Sequence, residues 1–332
     1  MILVTGGTGL IGSHLLYQLA VKKEKVRAIY RDHGKLETVQ KIFSFYTDDY
    51  KTLFASVEWV KADLNNIPSL EKAFQDIEYV YHCAALISFQ KEDYINLRKV
   101  NIEGTANIVN LSIEHKIKKL CHVSSIAAFG KGETNTPINE ETHWNPEAKN
   151  SNYAISKYGA EMEIWRGSQE GIKTIVVSPG VVLGAGFSSG SSEIFNKVTK
   201  GLSYYTPGGS GFVDVEDVVN IMTALMESEI HNENYILVSE NWSFKKLLNT
   251  IAKELEKPEL KKEASLLMLN IACFFDAIKA FLTGRKRLLS RSTVEFLSRQ
   301  SSFSNEKIKN DLNYNFKPLE ESIRLICKRI TN

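Results

Sequence analysis

The chain has 332 residues, 43% of them hydrophobic and 24% charged, with a formal net charge of +2 at pH 7. This is the balance of a globular protein long enough for one broad domain with an appended lobe. The near-neutral total excludes bulk attraction to nucleic acid or to a membrane surface.

Met1 opens directly into the apolar run "MILVT", without a charged leader or a signal-type apolar region, so a cytoplasmic location is expected. "LIGSHLLYQLAVKK" follows with helical periodicity, and "KVRAIY" reads as a second strand. Segments 57–63, 77–84, 117–125 and 172–180 read as further strands, and helices are expected near 67–76, 91–115 and 153–170. Short apolar strands alternating with helices predict an α/β fold, a doubly wound parallel sheet covered on both faces through right-handed crossovers. Beyond residue 180 the pattern loosens into Gly/Ser/Pro stretches at 181–192 and 204–211. Helices are expected at 214–227, 243–256, 264–282, 290–298 and 318–330, with a strand at 234–239. The expected organisation is a dinucleotide-binding Rossmann domain over 1–180, to which 212–240 returns. A smaller, mostly helical substrate lobe occupies most of 181–332.

The segment "SLLMLNIACFFDAIKAFLTGRKR", 265–287, is apolar and then basic. Asn270, Asp276 and Lys279 interrupt it, and a membrane span needs about 20 nearly uninterrupted apolar residues. No span is expected. A helix packed on the protein, or covering an apolar pocket, is expected rather than one lying on a membrane surface. The cysteines Cys83, Cys121, Cys273 and Cys327 form no C-x-x-C pair and read as reduced thiols, mostly buried. His82, His122 and Cys83 make no metal-ligand pattern and read as core residues, so no metal is expected.

"VTGGTGLIG" places Gly6, Gly9 and Gly12 directly after a strand and at the opening of a helix. Gly6 permits a tight turn, Gly9 lets the backbone approach a pyrophosphate, and Gly12 lets helix and strand pack closely. The helix N-terminus at Leu10 and Ile11 then faces the phosphate charge. The second strand ends "VRAIYRDH", with Tyr30 where an NAD site wants a carboxylate. Arg31 and the nearby Lys35 suit a ribose phosphate, although Asp32 competes for Arg31. NADP(H) is therefore favoured over NAD(H).

In "NSNYAISKYGAE", Tyr153 and Lys157 share a helix face at i and i+4. Lowering a tyrosine pKa by ~3 units takes ~4 kcal/mol. A unit charge ~4 Å away supplies about that much at an effective dielectric of ~20. Lys157 is thus sufficient to keep Tyr153 acidic. A carbonyl under reduction also needs a second donor on its oxygen, and "HVSSIAAFG" offers Ser124 and Ser125 at a strand end.

With "YAISK" and the glycine turn, the stretches "ADL" (62–64), "HCAA" (82–85), "NIEGT" (101–105), "HVSSIAAFG" (122–130), "SPGVVLG" (178–184) and "FVDVEDVV" (212–219) appear in order. The chain resembles the extended short-chain dehydrogenase/reductases, which include nucleotide-sugar epimerases and dihydroflavonol-reductase-like and 3β-hydroxysteroid-dehydrogenase-like enzymes. The resemblance implies that Asp63 and Leu64 flank the adenine and that Cys83, Ala84 and Ala85 pass under a cofactor ribose. It implies that the 179–182 backbone, Pro179 and Val182 included, meets the nicotinamide carboxamide. It selects Ser125 as the catalytic hydroxyl, with Ser124 beside the cofactor. Asn101 would support Lys157 through a water, or else serve only to bend its helix. A homodimer through the helices near 91–115 and 153–170 is usual for similar proteins.

Similar epimerases carry an arginine just before the "FVDVED" stretch to grip a diphosphate, where this chain has "PGGSG", 207–211. Phe274, Phe275 and Phe281 suggest an apolar wall near the substrate. The expected activity is hydride transfer between nicotinamide and a ketone or hydroxyl of a small, fairly apolar substrate. The alternatives are a nucleoside-diphosphate-sugar epimerase or dehydratase with tightly held cofactor, and a non-catalytic NADP-binding sensor. The intact Ser125, Tyr153 and Lys157 set argues against the sensor.

Overall fold

The computed structural model describes residues 1–130, 136–187, 190–283, 287 and 289–331; the side chain of Phe281 lies outside this description, as do residues 284–286 of the basic stretch. The chain begins β1 (Ile2–Thr5), α1 (Leu10–Val21), β2 (Val26–Tyr30), α2 (Leu36–Ser44), α3 (Tyr50–Ala55), β3 (Glu58–Lys61), α4 (Ile67–Phe74) and β4 (Tyr79–His82). It continues through α5 (Tyr94–Leu97), a π-helical segment (Arg98–Glu103), α6 (Gly104–Glu114), β5 (Lys119–Val123), α7 (Asn152–Gln169) and β6 (Lys173–Pro179). There follow β7 (Val181–Leu183), α8 (Glu193–Thr199), β8 (Tyr204–Tyr205), β9 (Gly209–Asp214), α9 (Val215–Glu227), β10 (Glu233–Leu237) and β11 (Glu240–Ser243). The last elements are α10 (Phe244–Glu254), β12 (Lys262–Glu263), α11 (Leu266–Thr283), α12 (Arg291–Ser298), α13 (Glu306–Leu312) and α14 (Leu319–Thr331).

The main sheet has seven parallel strands in the order β10-β6-β5-β4-β1-β2-β3. Its strands are short apolar runs whose alternate side chains enter opposite layers, as a pleated strand requires. Val4, Cys121, Ile175 and Val177 pack with Leu15, Leu19, Val218 and Leu225 on one face. Leu3, Leu120 and Val176 pack with Leu70, Phe74, Ile108 and Ile164 on the other. Strand order reverses between β1 and β4, which opens a crevice at their C-terminal ends. The one charge inside β2, Arg27, is held by both Glu58 oxygens at 2.9 and 3.1 Å and donates to the Ala73 and Gln75 carbonyls.

Several elements differ from the sequence expectations. The helix expected over 91–115 is broken by the π segment, in which Asn101 is buried. The stretches read as loops at 181–192 and 204–211 contribute strands, β7 and β9 joining β11 in a three-stranded sheet and β8 pairing with β12. Glycine here serves close packing rather than a loop. A Cβ at Gly209 would stand 2.3 Å from Gln300 Oε1, and one at Gly211 would stand 2.6 Å from Val238 Cγ2. In 212–240, α9 packs against α1, β5 and β6, and β10 adds to the main sheet beside β6.

The segment 264–282 is helical, but it is not covered. Leu269 and Cys273 of α11 pack with Val294 and Leu289. Leu266, Leu267, Ile271, Phe274, Phe275, Ile278 and Leu282 remain exposed. Leu289 and the eight-residue helix α12 are too small a partner to cover a helix with so many apolar positions. Among the described residues, no helix is long and apolar enough to cross a membrane.

Candidate active site

The crevice at the strand ends begins with the glycine turn. Gly6 has φ +69°, a conformation that L side chains rarely adopt, and a Cβ there would lie 2.6 Å from the Ala84 backbone nitrogen. A Cβ at Gly12 would lie 2.2 Å from the Gly6 carbonyl oxygen, so α1 can approach the turn only with glycine in that place. Gly9 caps α1 without a side-chain hydrogen bond, and the first turn carries no acid. The leading amides at Leu10 and Ile11 therefore meet no side-chain acceptor from the cap.

One cleft is lined by Gly6, Gly9, Tyr30, Arg31, Lys35, Asp63, Leu64, Cys83, Ala84 and Ala85, so most of the anticipated cofactor contacts converge. The bare cradle at Gly6 and the small residues at 83–85 fit a dinucleotide backbone. Asp32 does not pair with Arg31 as its position suggested. Its side chain accepts from the Gly34 amide at 3.0 Å and caps a short turn, while Arg31 stands 3.7 Å from Asp63. Both members of that pair are largely exposed, at 62% and 43%, so the pairing leaves Arg31 available at a cost of about 0–1 kcal/mol. Pro179 ends β6 in the main sheet, and Val182 follows in β7 of the three-stranded sheet.

Beyond β5 the chain presents Ser124 and Ser125. The Ser125 hydroxyl accepts from the Ala127 amide at 3.2 Å. It also stands near the Tyr153 phenol, whose pKa it pulls down. Tyr153 is buried in the first turns of α7, which Ser151 starts by capping the Ala154 amide at 3.1 Å. The ring of Phe89, a residue that no sequence pattern singled out, packs edge-on against Tyr153 at 5.6 Å.

One expectation is corrected here. Burial pushes the Tyr153 phenol up to about 12, and only the Ser125 hydroxyl opposes that shift. Lys157 does not lower it, because its Nζ is turned to the Val123 carbonyl at 2.8 Å and to His122 Nε2 at 3.5 Å. Asn101 sits inside the π segment, held by direct contacts of its own. Its Oδ1 accepts from the Leu86 amide at 2.7 Å, and its Nδ2 donates to the Leu86 carbonyl and to Ser156 Oγ, each at 2.9 Å. With both amide protons used, Asn101 is a clamp between the 83–93 loop and α7.

Lys157 is 1% exposed, and burial lowers its ammonium to about 8. Glu161, one helical turn further on, opposes that shift. Burial raises the Glu161 carboxyl to about 7, against the pull of the Lys157 charge. Glu161 Oε1 accepts from Asn234 Nδ2 at 3.2 Å, and Asn234 Oδ1 accepts from Ser178 Oγ at 3.1 Å. Ser124 Oγ stands beside the same carboxyl without an aligned hydrogen bond. The i, i+4 spacing from Lys157 was the available signal for Glu161. His82 is saturated by Thr5 and Thr105 at 2.7 and 2.9 Å, and its ring lies 5.1 Å from that of His122.

A glycine turn under the switch point of a parallel sheet, with two hydroxyls and a buried lysine on its far side, defines a nicotinamide-dinucleotide enzyme of the oxidoreductase or epimerase kind. Residues 2–237 match the NAD dependent epimerase/dehydratase family. The chain belongs to that family. It is 25% identical over 300 residues to sterol demethylase protein B of Methylococcus capsulatus, covering 89% of this chain and 85% of that protein. It is 26% identical over 247 residues to dihydroflavonol 4-reductase of Dianthus caryophyllus, covering 70% of this chain and 67% of that one. The fold is shared with Thermus thermophilus UDP-glucose 4-epimerase in complex with NAD, at TM-score 0.76 and 20% identity over 100% of this chain and 99% of that one.

Proposed function

We propose that the enzyme is an NADP(H)-dependent reductase that acts on a ketone, or in reverse on a hydroxyl, of a small and fairly apolar molecule. The observation that carries this reading is the pairing of two hydroxyls, the Ser125 hydroxyl and the buried Tyr153 phenol, with the Phe89 ring edge-on against the phenol. When bound, the nicotinamide supplies the hydride. Tyr153 donates its phenolic proton to the substrate oxygen, and Ser125, steadied by the Ala127 amide, donates to the same oxygen. A phenol held up to about 12 stays protonated at neutral pH, which suits a proton donor in the reducing direction. Lys157 stands buried one turn further along α7, with Glu161 balancing its charge.

Arg31 and Lys35 line the cleft next to Tyr30, which stands where an NAD site wants a carboxylate at the strand end, and this supports the phosphorylated dinucleotide. Residues 1–180, with 212–240 returning to them, bind the dinucleotide in this reading, and most of 181–332 shapes the substrate side. The sterol- and dihydroflavonol-named relatives support an apolar substrate. A sugar nucleotide is disfavoured because Gly211, before "FVDVED", packs on Val238 and Phe303 and leaves no room for an arginine.

The test is NADPH oxidation over a panel of apolar ketones, with UDP-sugars assayed in parallel. Net consumption with a ketone supports the reductase. Interconversion of a UDP-sugar without net consumption would replace it with the epimerase.

A further inference from the structure

The outward face of α11 has no partner among the described residues. Leu267, Ile271, Phe274, Ile278 and Leu282 are between 40% and 74% exposed. They recur every three or four positions, so they form one stripe along a helix of 18 residues, ~27 Å long. Phe275 widens the stripe at its middle. Soluble monomers rarely expose a contiguous apolar surface of this kind.

Cations flank the stripe. Lys261 and Lys262 are exposed before the helix, Lys279 on it and Arg291 after it. The acid of the helix, Asp276, accepts from the Leu289 amide at 3.0 Å, while Glu259 and Glu263 are exposed acids before the helix and Glu295 is one on α12. An apolar stripe flanked by cations is the pattern of a helix lying in the interfacial plane of an anionic bilayer. A second copy of the chain fits less well, since a two-fold contact would bring these same cations together.

We propose that α11 docks the enzyme on an anionic membrane surface, with the stripe among the headgroups and the lysines and Arg291 against lipid phosphates. Arg287, which follows α11 and donates to the Cys273 carbonyl, joins that helix to the active-site loop. Gln90 Nε2 donates to the Arg287 carbonyl at 2.8 Å, one residue from the Phe89 ring that closes over Tyr153. An apolar substrate dissolved in the bilayer would then have a short path to the site. That last point rests on the proposed function; the docking does not.

The test is sedimentation of the full chain with phosphatidylcholine vesicles, with and without phosphatidylserine, at low and high salt. Binding is expected to phosphatidylserine vesicles, to weaken in high salt, and to fall about tenfold in each of two double variants, Phe274→Ser/Phe275→Ser and Lys261→Glu/Lys262→Glu. All four residues are exposed, but Lys262 lies in β12 with its ammonium over the Tyr204 ring, so the melting temperature of each variant is read beside its sedimentation to separate lost docking from lost folding. Absence of sedimentation with either vesicle, or binding indifferent to both variants, would overturn the proposal. So would a phenylalanine variant that turns a dimer into a monomer in analytical ultracentrifugation without changing vesicle binding.

Discussion

At the residue scale the site separates proton donation from charge balance. Tyr153→Phe removes the donor while keeping the ring against Phe89, so kcat should fall by about 10²–10⁴ with cofactor affinity nearly unchanged. Steady-state kinetics together with dinucleotide titration checks both halves. Arg31→Ala removes a charge-assisted contact worth about 1.5–3 kcal/mol, so NADPH should bind roughly 10–100-fold more weakly and NADH almost as before. Equal losses for the two dinucleotides would show that Arg31 does not read the phosphate. Glu161 and Lys157 carry opposite pH signatures. A carboxyl raised to about 7 keeps its proton longer in the folded state, so its contribution to stability falls as pH rises from the ordinary carboxylate range to about 7. An ammonium lowered to about 8 loses its proton sooner, so stability recovers as pH rises from about 8 toward the ordinary lysine value. Glu161→Gln should abolish the first slope in pH-dependent melting. It should also move the Lys157-dependent limb of the kcat–pH profile to lower pH, because Glu161 holds that ammonium up.

At the element scale the catalytic helix and the C-terminal helix are each tied by a buried polar hub. Asn101 joins the π segment to the Leu86 backbone and to α7, so the interruption of the expected helix serves to aim α7. The other hub is Glu216 at the start of α9. It accepts from Lys317 at 2.7 Å, Arg329 at 2.8 Å and Tyr46 at 2.9 Å, which holds α14 and α2 against the sheet layer. These partners lower its carboxyl to about 2 although burial pushes the other way. A depressed carboxyl stabilises the fold above its unfolded value and loses that contribution as pH falls toward about 2. Glu216→Gln should therefore destabilise the protein by about 2–3 kcal/mol at neutral pH, less than for a fully buried pair. The difference from the unsubstituted protein should shrink below pH 4. Urea unfolding at several pH values measures this.

At the scale of the whole molecule, the crevice is where ligand binding and folding meet. The turn at Gly6 and the packing at Gly12 are built into β1 and α1, so a dinucleotide that binds only the native state should stabilise the entire chain. At 100-fold excess over Kd the gain is about 2.7 kcal/mol, which corresponds to a rise of roughly 5 °C in Tm. NADPH should give a larger rise than NADH, and Gly12→Ala should abolish it, since its Cβ would meet the Gly6 carbonyl.

Local pattern was enough for the sheet, the glycine turn and the Tyr153–Lys157 face, because period-two and period-3.6 spacing and turn chemistry are written in neighbouring residues. It was also enough to bring Arg31, Asp63 and Cys83–Ala85 to one edge, since strand ends in a parallel sheet converge. The small sheet of β7, β9 and β11 was hidden, because Gly209 and Gly211 look like loop residues until Gln300 and Val238 stand against them. Only the tertiary structure decided that Lys157 turns to Val123, that Glu161 is buried with Asn234, and that Asn101 is spent on Leu86. It alone left the stripe of α11 uncovered. These outcomes depend on which groups lose water and which distant partner arrives. Residue spacing along the chain carries no record of either.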